Sequence, residues 1–268
     1  MPTYPKYADL GVDERWKTIT LRRLLTHSSG LADQRFYDPE NKFRFNLEPG
    51  SRYAYSNEGV NLAQFVIEES LGLKVGDEMN RRLFQPLGMS RSSMIWRDDF
   101  KGNLADGQHE GGQWEDHDDR SSVRAAGSLD TTIADMSKLA AAMTASGWGL
   151  STKARAELVK PGFPIVSQSQ FPPFLIKDNP DNARIRPGRG RRRRGVRRPA
   201  RPRFYKGGHN DITDNMLICV EKGRRCVVLL SNSGVGRRIF PPLVKGRPGR
   251  HRDAVGLGVQ PRPAGVAP

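Results

Sequence analysis

Two periods run through the apolar residues of this chain. From Val60 to Leu71 the period is helical: Leu62, Phe65 and Val66 fall on one side and Glu69 on the other, and Gly72 stops the run. Leu21, Leu24 and Leu25 repeat the spacing behind Thr20, which predicts a short capped helix through Leu25. Thr26-His27-Ser28-Ser29-Gly30 ends it, with Gly30 able to take a positive φ. A further helix is predicted over Val75–Leu83, leaving through Phe84-Gln85-Pro86-Leu87-Gly88-Met89, and another over Ile133–Ser146. Thr131 or Thr132 caps the latter, and Asp135 suits its N-terminal dipole. Period two comes late. Phe204–Gly208 reads as a strand, and Asn215–Val220 with Arg225–Leu230 as a hairpin turning at Lys222-Gly223 and ending at Ser231-Asn232-Ser233. The rest is less regular. Residues 1–18 are a loose lead-in. Residues 32–47 are an irregular loop whose Phe36, Tyr37, Phe43 and Phe45 line a cleft or pack beneath it. Residues 97–124 are a long polar loop, and 154–180 a short helix followed by a Pro-rich connection.

One stretch stands apart chemically. In Glu48–Gly59 a Pro49-Gly50 turn delivers Tyr55-Ser56-Asn57 to the start of the long helix. A Tyr hydroxyl titrates near pH ~10 and is a poor base unless nearby cations polarise it. A Tyr two residues before an Asn at such a junction can put both polar heads into one cleft. The simpler account of the same residues is a turn followed by an Asn helix cap.

Three segments in order change that weighting: ITLRRLLTHSSGL from Ile19, EPGSRYAYSNEGVNLAQFVIEESLG from Glu48, and FYKGGHND from Phe204. With LFQPLGM and RAAGSLDTTIADMSKL between them, they resemble the serine β-lactamase and penicillin-binding-protein-like superfamily, nearest its class C and esterase-like branch. Tyr55-Ser56-Asn57 matches the Y-x-N box, and Lys206-Gly207-Gly208 the K-T-G box in a Gly-substituted form. The resemblance implies an α+β, β-lactamase/transpeptidase-like fold over residues 15–235, an antiparallel sheet flanked by helices plus a helical subdomain, incomplete at the N-terminus. It implies acyl-enzyme hydrolysis of a β-lactam, a D-amino-acid peptide or a small ester, with Tyr55 and Lys206 catalytic and Asn57, Gly207, Gly208 and His209 binding substrate. Tyr55 would share base duty with a lysine. Asn57 would bond the substrate amide or that lysine, and Lys206 would supply positive charge. The two glycines would let the strand approach the ligand, and the His209 N–H would be one oxyanion donor. His27 is expected to be structural, bonding carbonyls at its helix end, and Gly127 and Ser128 lie where relatives bring a loop toward substrate. The partner implied is a small molecule or peptide, with no cofactor, no metal and no specific nucleic acid. Relatives are periplasmic or secreted, although no signal peptide is visible.

The pattern departs from the family at its centre. Relatives attack with a Ser in an S-x-x-K box upstream of the first segment. No lysine of this chain has a serine three residues before it; Thr3-Tyr4-Pro5-Lys6 comes nearest. The expectation is therefore a family member without its nucleophile, either an inactive hydrolase or a binding protein of the same fold.

Charge adds a further complication. The net +15 is concentrated: residues 184–203 hold eleven arginines and no acid, and residues 236–268 contribute +6, which leaves −2 for everything else. A basic surface over the whole protein is thus not supported. RIRPGRGRRRRGVRRPARPR reads as a shifted reading frame in GC-rich DNA, or as a disordered arm associating with nucleic acid, although it lacks aromatics for stacking bases. The residues from 236 on have the same flavour and read as a low-complexity basic tail. No apolar run reaches the ~18 residues of a transmembrane helix. Cys219 and Cys226 would lie opposite each other across the hairpin. A disulfide is open to them, and two buried thiols are the expected state. The loop 97–124 carries His109, Glu110, Glu115, Asp116, His117, Asp118 and Asp119 without metal-site spacing, and is expected to be a solvated acidic loop.

Overall fold

The computed structural model describes residues 4–145, 149–163, 165, 203–220 and 224–245. The chain divides into two compact units, and within the described residues the first holds 4–75, 124–128, 160–163 and 165 and the second 76–123, 129–145, 149–159, 203–220 and 224–245. The fold is α+β, with an antiparallel sheet flanked by helices and further helical elements, as the sequence implies.

The first unit is built on α1 (Leu21–Leu25) and α2 (Asn57–Leu71). Thr20 accepts the Arg23 N–H and caps α1 as expected, and Gly72, left-handed at φ 64°, closes α2. Leu24, Leu31, Phe43, Phe45, Leu62 and Ala63 form the core, with Phe65 and Val66 packed against it. Burying each large apolar side chain contributes about 1.5–3 kcal/mol. The lead-in is not loose. Pro5–Val12 and Glu14–Thr18 wind as 3-10 turns, and Tyr7 and Leu10 are fully buried in this core. The backbone kinks at Tyr7 (φ −129°, ψ 21°), and the Tyr7 ring meets those of Phe43 and Phe65 at 5.5 and 4.7 Å. Burial, and then the Glu58 charge, raise the Tyr7 pKa to about 12. In the 32–47 loop, Phe43 and Phe45 pack beneath while Phe36 is exposed.

The second unit starts with α3 (Val75–Met79), running on as a π-helical turn through Phe84, and the pair matches the predicted second helix. Phe84, Met89 and Met94 make its local core with Leu139 of α4 (Ile133–Thr144). The 97–124 loop contains a two-stranded piece that the sequence does not announce, β1 (Gly107–Gln108) paired with β2 (Trp114–Glu115). After α5 (Thr152–Val159) come β3 (Arg203–His209), β4 (Asp214–Val220) and β5 (Arg225–Ser231), a three-stranded antiparallel sheet with β4 in the middle. One face buries Leu217 and Cys219 against α4; the other buries Met216 and Ile218 against Phe240 and Val244 of α6 (Phe240–Lys245). The stretch from Gly236, expected to open a basic tail, thus supplies core side chains. The hairpin register places Cys219 opposite Cys226, and they form a disulfide. That corrects the expectation of two thiols: paired strands bring the Cα atoms to 4.1 Å, within bonding reach of the two sulfurs. The expected turn at Lys222-Gly223 and the arginine-rich stretch up to residue 202 lie outside the described residues.

Candidate active site

Ser56 anchors the first group of expected residues. It is fully buried, its hydroxyl donating to the Ala32 carbonyl at 2.6 Å and accepting the Gly59 N–H at 2.8 Å. Ser56, not Asn57, is therefore the cap of α2. Its backbone is extended (φ −149°, ψ 110°), as a cap requires, and Asn57 is already helical. The Asn57 N–H donates to Asp33 Oδ1 at 3.1 Å, and the Glu58 N–H to the Asp33 carbonyl at 3.1 Å. Asp33 is itself buried, and the positive end of the helix dipole favours a carboxylate there.

Tyr55 and Asn57 are both half-buried. The Tyr55 ring stacks on His27, centroids 4.3 Å apart and planes 29° apart. His27 follows the Thr26 C-cap and ends α1 as expected, its N–H donating to the Leu24 carbonyl at 3.2 Å. It is left-handed (φ 51°), and its Nδ1 accepts the Ser56 N–H at 3.2 Å. Gly30, two residues into the same turn from Ser28, does take the expected positive φ, and an added Cβ there would lie 2.2 Å from the Leu47 oxygen.

The second group lies on β3. Lys206, Gly207 and Gly208 face Leu217, Met216 and Asn215 across the ladder. The Asn210 N–H donates to the Thr213 carbonyl at 3.1 Å, which makes 210 and 213 a hydrogen-bonded pair. Alternation along an antiparallel ladder then directs the Lys206 and Gly208 amides toward β4 and turns those of Gly207 and His209 to the other side. β3 is an outer strand of the described sheet, so these two amides point along its outer edge. Lys206 is exposed and its Nζ donates to the Gly207 carbonyl at 2.8 Å. Water reaches the residue, yet desolvation by the surrounding protein lowers its pKa from the ordinary lysine value. The His209 imidazole is tied down instead of facing a ligand. Nδ1 lies 2.5 Å from Oδ1 of buried Asp214, and Arg237 Nη1 lies 2.8 Å from Nε2. The Arg237 N–H also donates to Asp214 Oδ2 at 2.8 Å.

Tyr55 and Asn57 thus belong to the first unit, and Lys206, Gly207, Gly208 and His209 to the second. Ser128, a weaker candidate, is buried and accepts the Arg124 N–H at 3.0 Å, a fold role. In the acidic loop His109 pairs with Glu115 at 2.8 Å and His117 with Asp130 at 2.9 Å. Among the described residues no three His, Cys, Asp or Glu gather where they could hold a metal ion.

A family model described as Beta-lactamase matches residues 5–239. The chain belongs to the beta-lactamase family. Its fold is similar to that of a class C beta-lactamase, with a TM-score of 0.58 and 16% identity over 87% of this chain and 70% of that one. A penicillin-binding protein from Bacillus halodurans gives 0.59 and 18% over 85% and 72%. D-alanine carboxypeptidase AmpC from Burkholderia cenocepacia gives 0.58 and 16% over 87% and 72%. Over 113 residues, 34% of the chain, it is 28% identical to lovastatin esterase of Penicillium rubens, and that match spans 28% of the esterase. The beta-lactamase-family serine hydrolase fold is therefore established, and the family acts on small-molecule substrates. Among the described residues no helix is long and apolar enough to cross a membrane.

Proposed function

We propose that this chain carries the acyl-recognition residues of a beta-lactamase-family serine hydrolase and does not itself form an acyl-enzyme. The reading assigns Tyr55 to proton transfer, Asn57 to the substrate amide, Lys206 to the substrate carboxylate and the outward His209 N–H to the carbonyl oxygen. The observation that carries it is the placement of Lys206-Gly207-Gly208-His209 on an outer strand with the Gly207 and His209 amides turned from their β-partner. Backbone donors so directed are what a developing oxyanion needs. In the first unit, the Ser56 cap fixes the backbone between Tyr55 and Asn57.

The sequence holds no S-x-x-K box, and loss of a nucleophile costs on the order of a million-fold in rate. Ligands of the family classes, a β-lactam, a D-amino-acid peptide or a small ester, are then bound reversibly by this chain. Intact-protein mass spectrometry after incubation with benzylpenicillin and with p-nitrophenyl butyrate tests this. The expected result is an unmodified mass and no release of p-nitrophenol above buffer. A stoichiometric acyl adduct would reveal a nucleophile inside the chain and overturn the proposal.

A further inference from the structure

His27 serves the Tyr55 segment with two acceptors at once. The Ala54 and Ser56 amides, two residues apart, both point at His27. The Ala54 N–H donates to the His27 carbonyl at 2.7 Å, and the Ser56 N–H to His27 Nδ1 at 3.2 Å. Backbone and ring of one residue thus take the place of a neighbouring strand. The same ring meets Tyr53 edge-on at 5.7 Å and Tyr55 face-on at 4.3 Å. A bulky residue at φ 51° is uncommon, and such conformations persist where the surroundings over-determine them. A glycine at position 27 would relieve the backbone but supply neither the ring nor its acceptor. A histidine protonated only at Nε2 supplies both, since an amide donor needs a bare nitrogen at Nδ1.

From this geometry we infer that His27 is a positioning residue for Tyr55: its neutral, Nε2-protonated ring holds the Ser56 amide and fixes the Tyr55 ring plane by stacking. The functional meaning rests on the reading of Tyr55 as a proton-transfer group; the clamp itself does not.

Two measurements on the full chain test it without turnover, so they stand apart from the fate of the hydrolase reading. In ¹⁵N-histidine spectra at pH 7.5, His27 should show an acceptor-type Nδ1 and a protonated Nε2. In His27→Asn, a residue that tolerates positive φ and offers a carbonyl acceptor but no ring, the fold should persist. Tyr55, identified through Tyr55→Phe, should then react with tetranitromethane at least about threefold faster, while Tyr7 and Tyr205 react as before. An Nδ1-protonated His27 in the wild type overturns the inference even if the variant fails to fold. So does a folded His27→Asn whose Tyr55 reactivity is unchanged.

Discussion

Asp135 illustrates how one buried carboxylate fastens a unit together. It accepts the Arg91 N–H and the Ser92 hydroxyl at 2.8 and 2.9 Å and pairs with Lys138 at 2.8 Å. Burial alone would raise its pKa, but the bonds from Lys138, Ser92 and Arg91 outweigh that and lower it. A depressed carboxyl contributes stability that is fully present above its unfolded value of about 3.9 and is lost as pH falls through the folded value. Asp135→Asn should therefore cost about 1.5–3 kcal/mol at pH 7 by urea unfolding and shrink that cost at acid pH. Gly30→Ala should cost more than about 1 kcal/mol, because a positive φ and a Cβ 2.2 Å from the Leu47 oxygen both oppose it. The glycine was legible from its place after a helix end, and so was Thr20 as a cap. Asp135 was legible only as a dipole partner, since nothing local announces Arg91 and Ser92, more than forty residues away. Ser56 was readable as a cap but hidden by Asn57 beside it, and the acceptor role of His27 depends on a contact 29 residues away.

At the scale of elements, hydrophobic period was a sound guide wherever one face is buried. It found α1, α4 and the β4–β5 hairpin with ends within about two residues, the ordinary uncertainty of helix ends, while α2 begins three residues before its predicted start and the predicted second helix continues past α3 as a π-helical turn. It failed for the lead-in, where only Tyr7 and Leu10 turn inward on short 3-10 turns, and for β1 and β2, too short to show a period. The register that faces Cys219 with Cys226 was legible; their bonding was not, because spacing alone does not report oxidation state. The disulfide closes a short loop at the turn end of the β4–β5 hairpin, with seven residues of separation, and Cys219 faces Phe204, two residues before Lys206 on β3. On chain entropy such a loop is worth about 2–2.5 kcal/mol. Reduction with dithiothreitol, or Cys226→Ala, should lower the melting temperature by several degrees, as calorimetry would read. An unchanged melt would mean that the bond adds nothing to the native state.

For the molecule as a whole, the family was legible from three ordered segments, while each alone had an ordinary structural explanation. The charge of the chain pointed elsewhere, but most of it lies in the arginine-rich stretch and after residue 236, and the remainder carries −2. The proposed function depends on Lys206, whose pKa is lowered by desolvation. An arriving carboxylate favours the protonated amine, so affinity should hold at neutral pH and fall as pH rises through that lowered value, below the usual ~10.4. The most direct measurement is calorimetric titration of the chain with benzylpenicillin at pH 7, beside Lys206→Ala and Tyr55→Phe. Saturable, reversible binding to the wild type, weakened at least about tenfold in Lys206→Ala and less in Tyr55→Phe, is the predicted result. Equal binding to all three would contradict the assignment of the carboxylate to Lys206 and, with it, the proposed site.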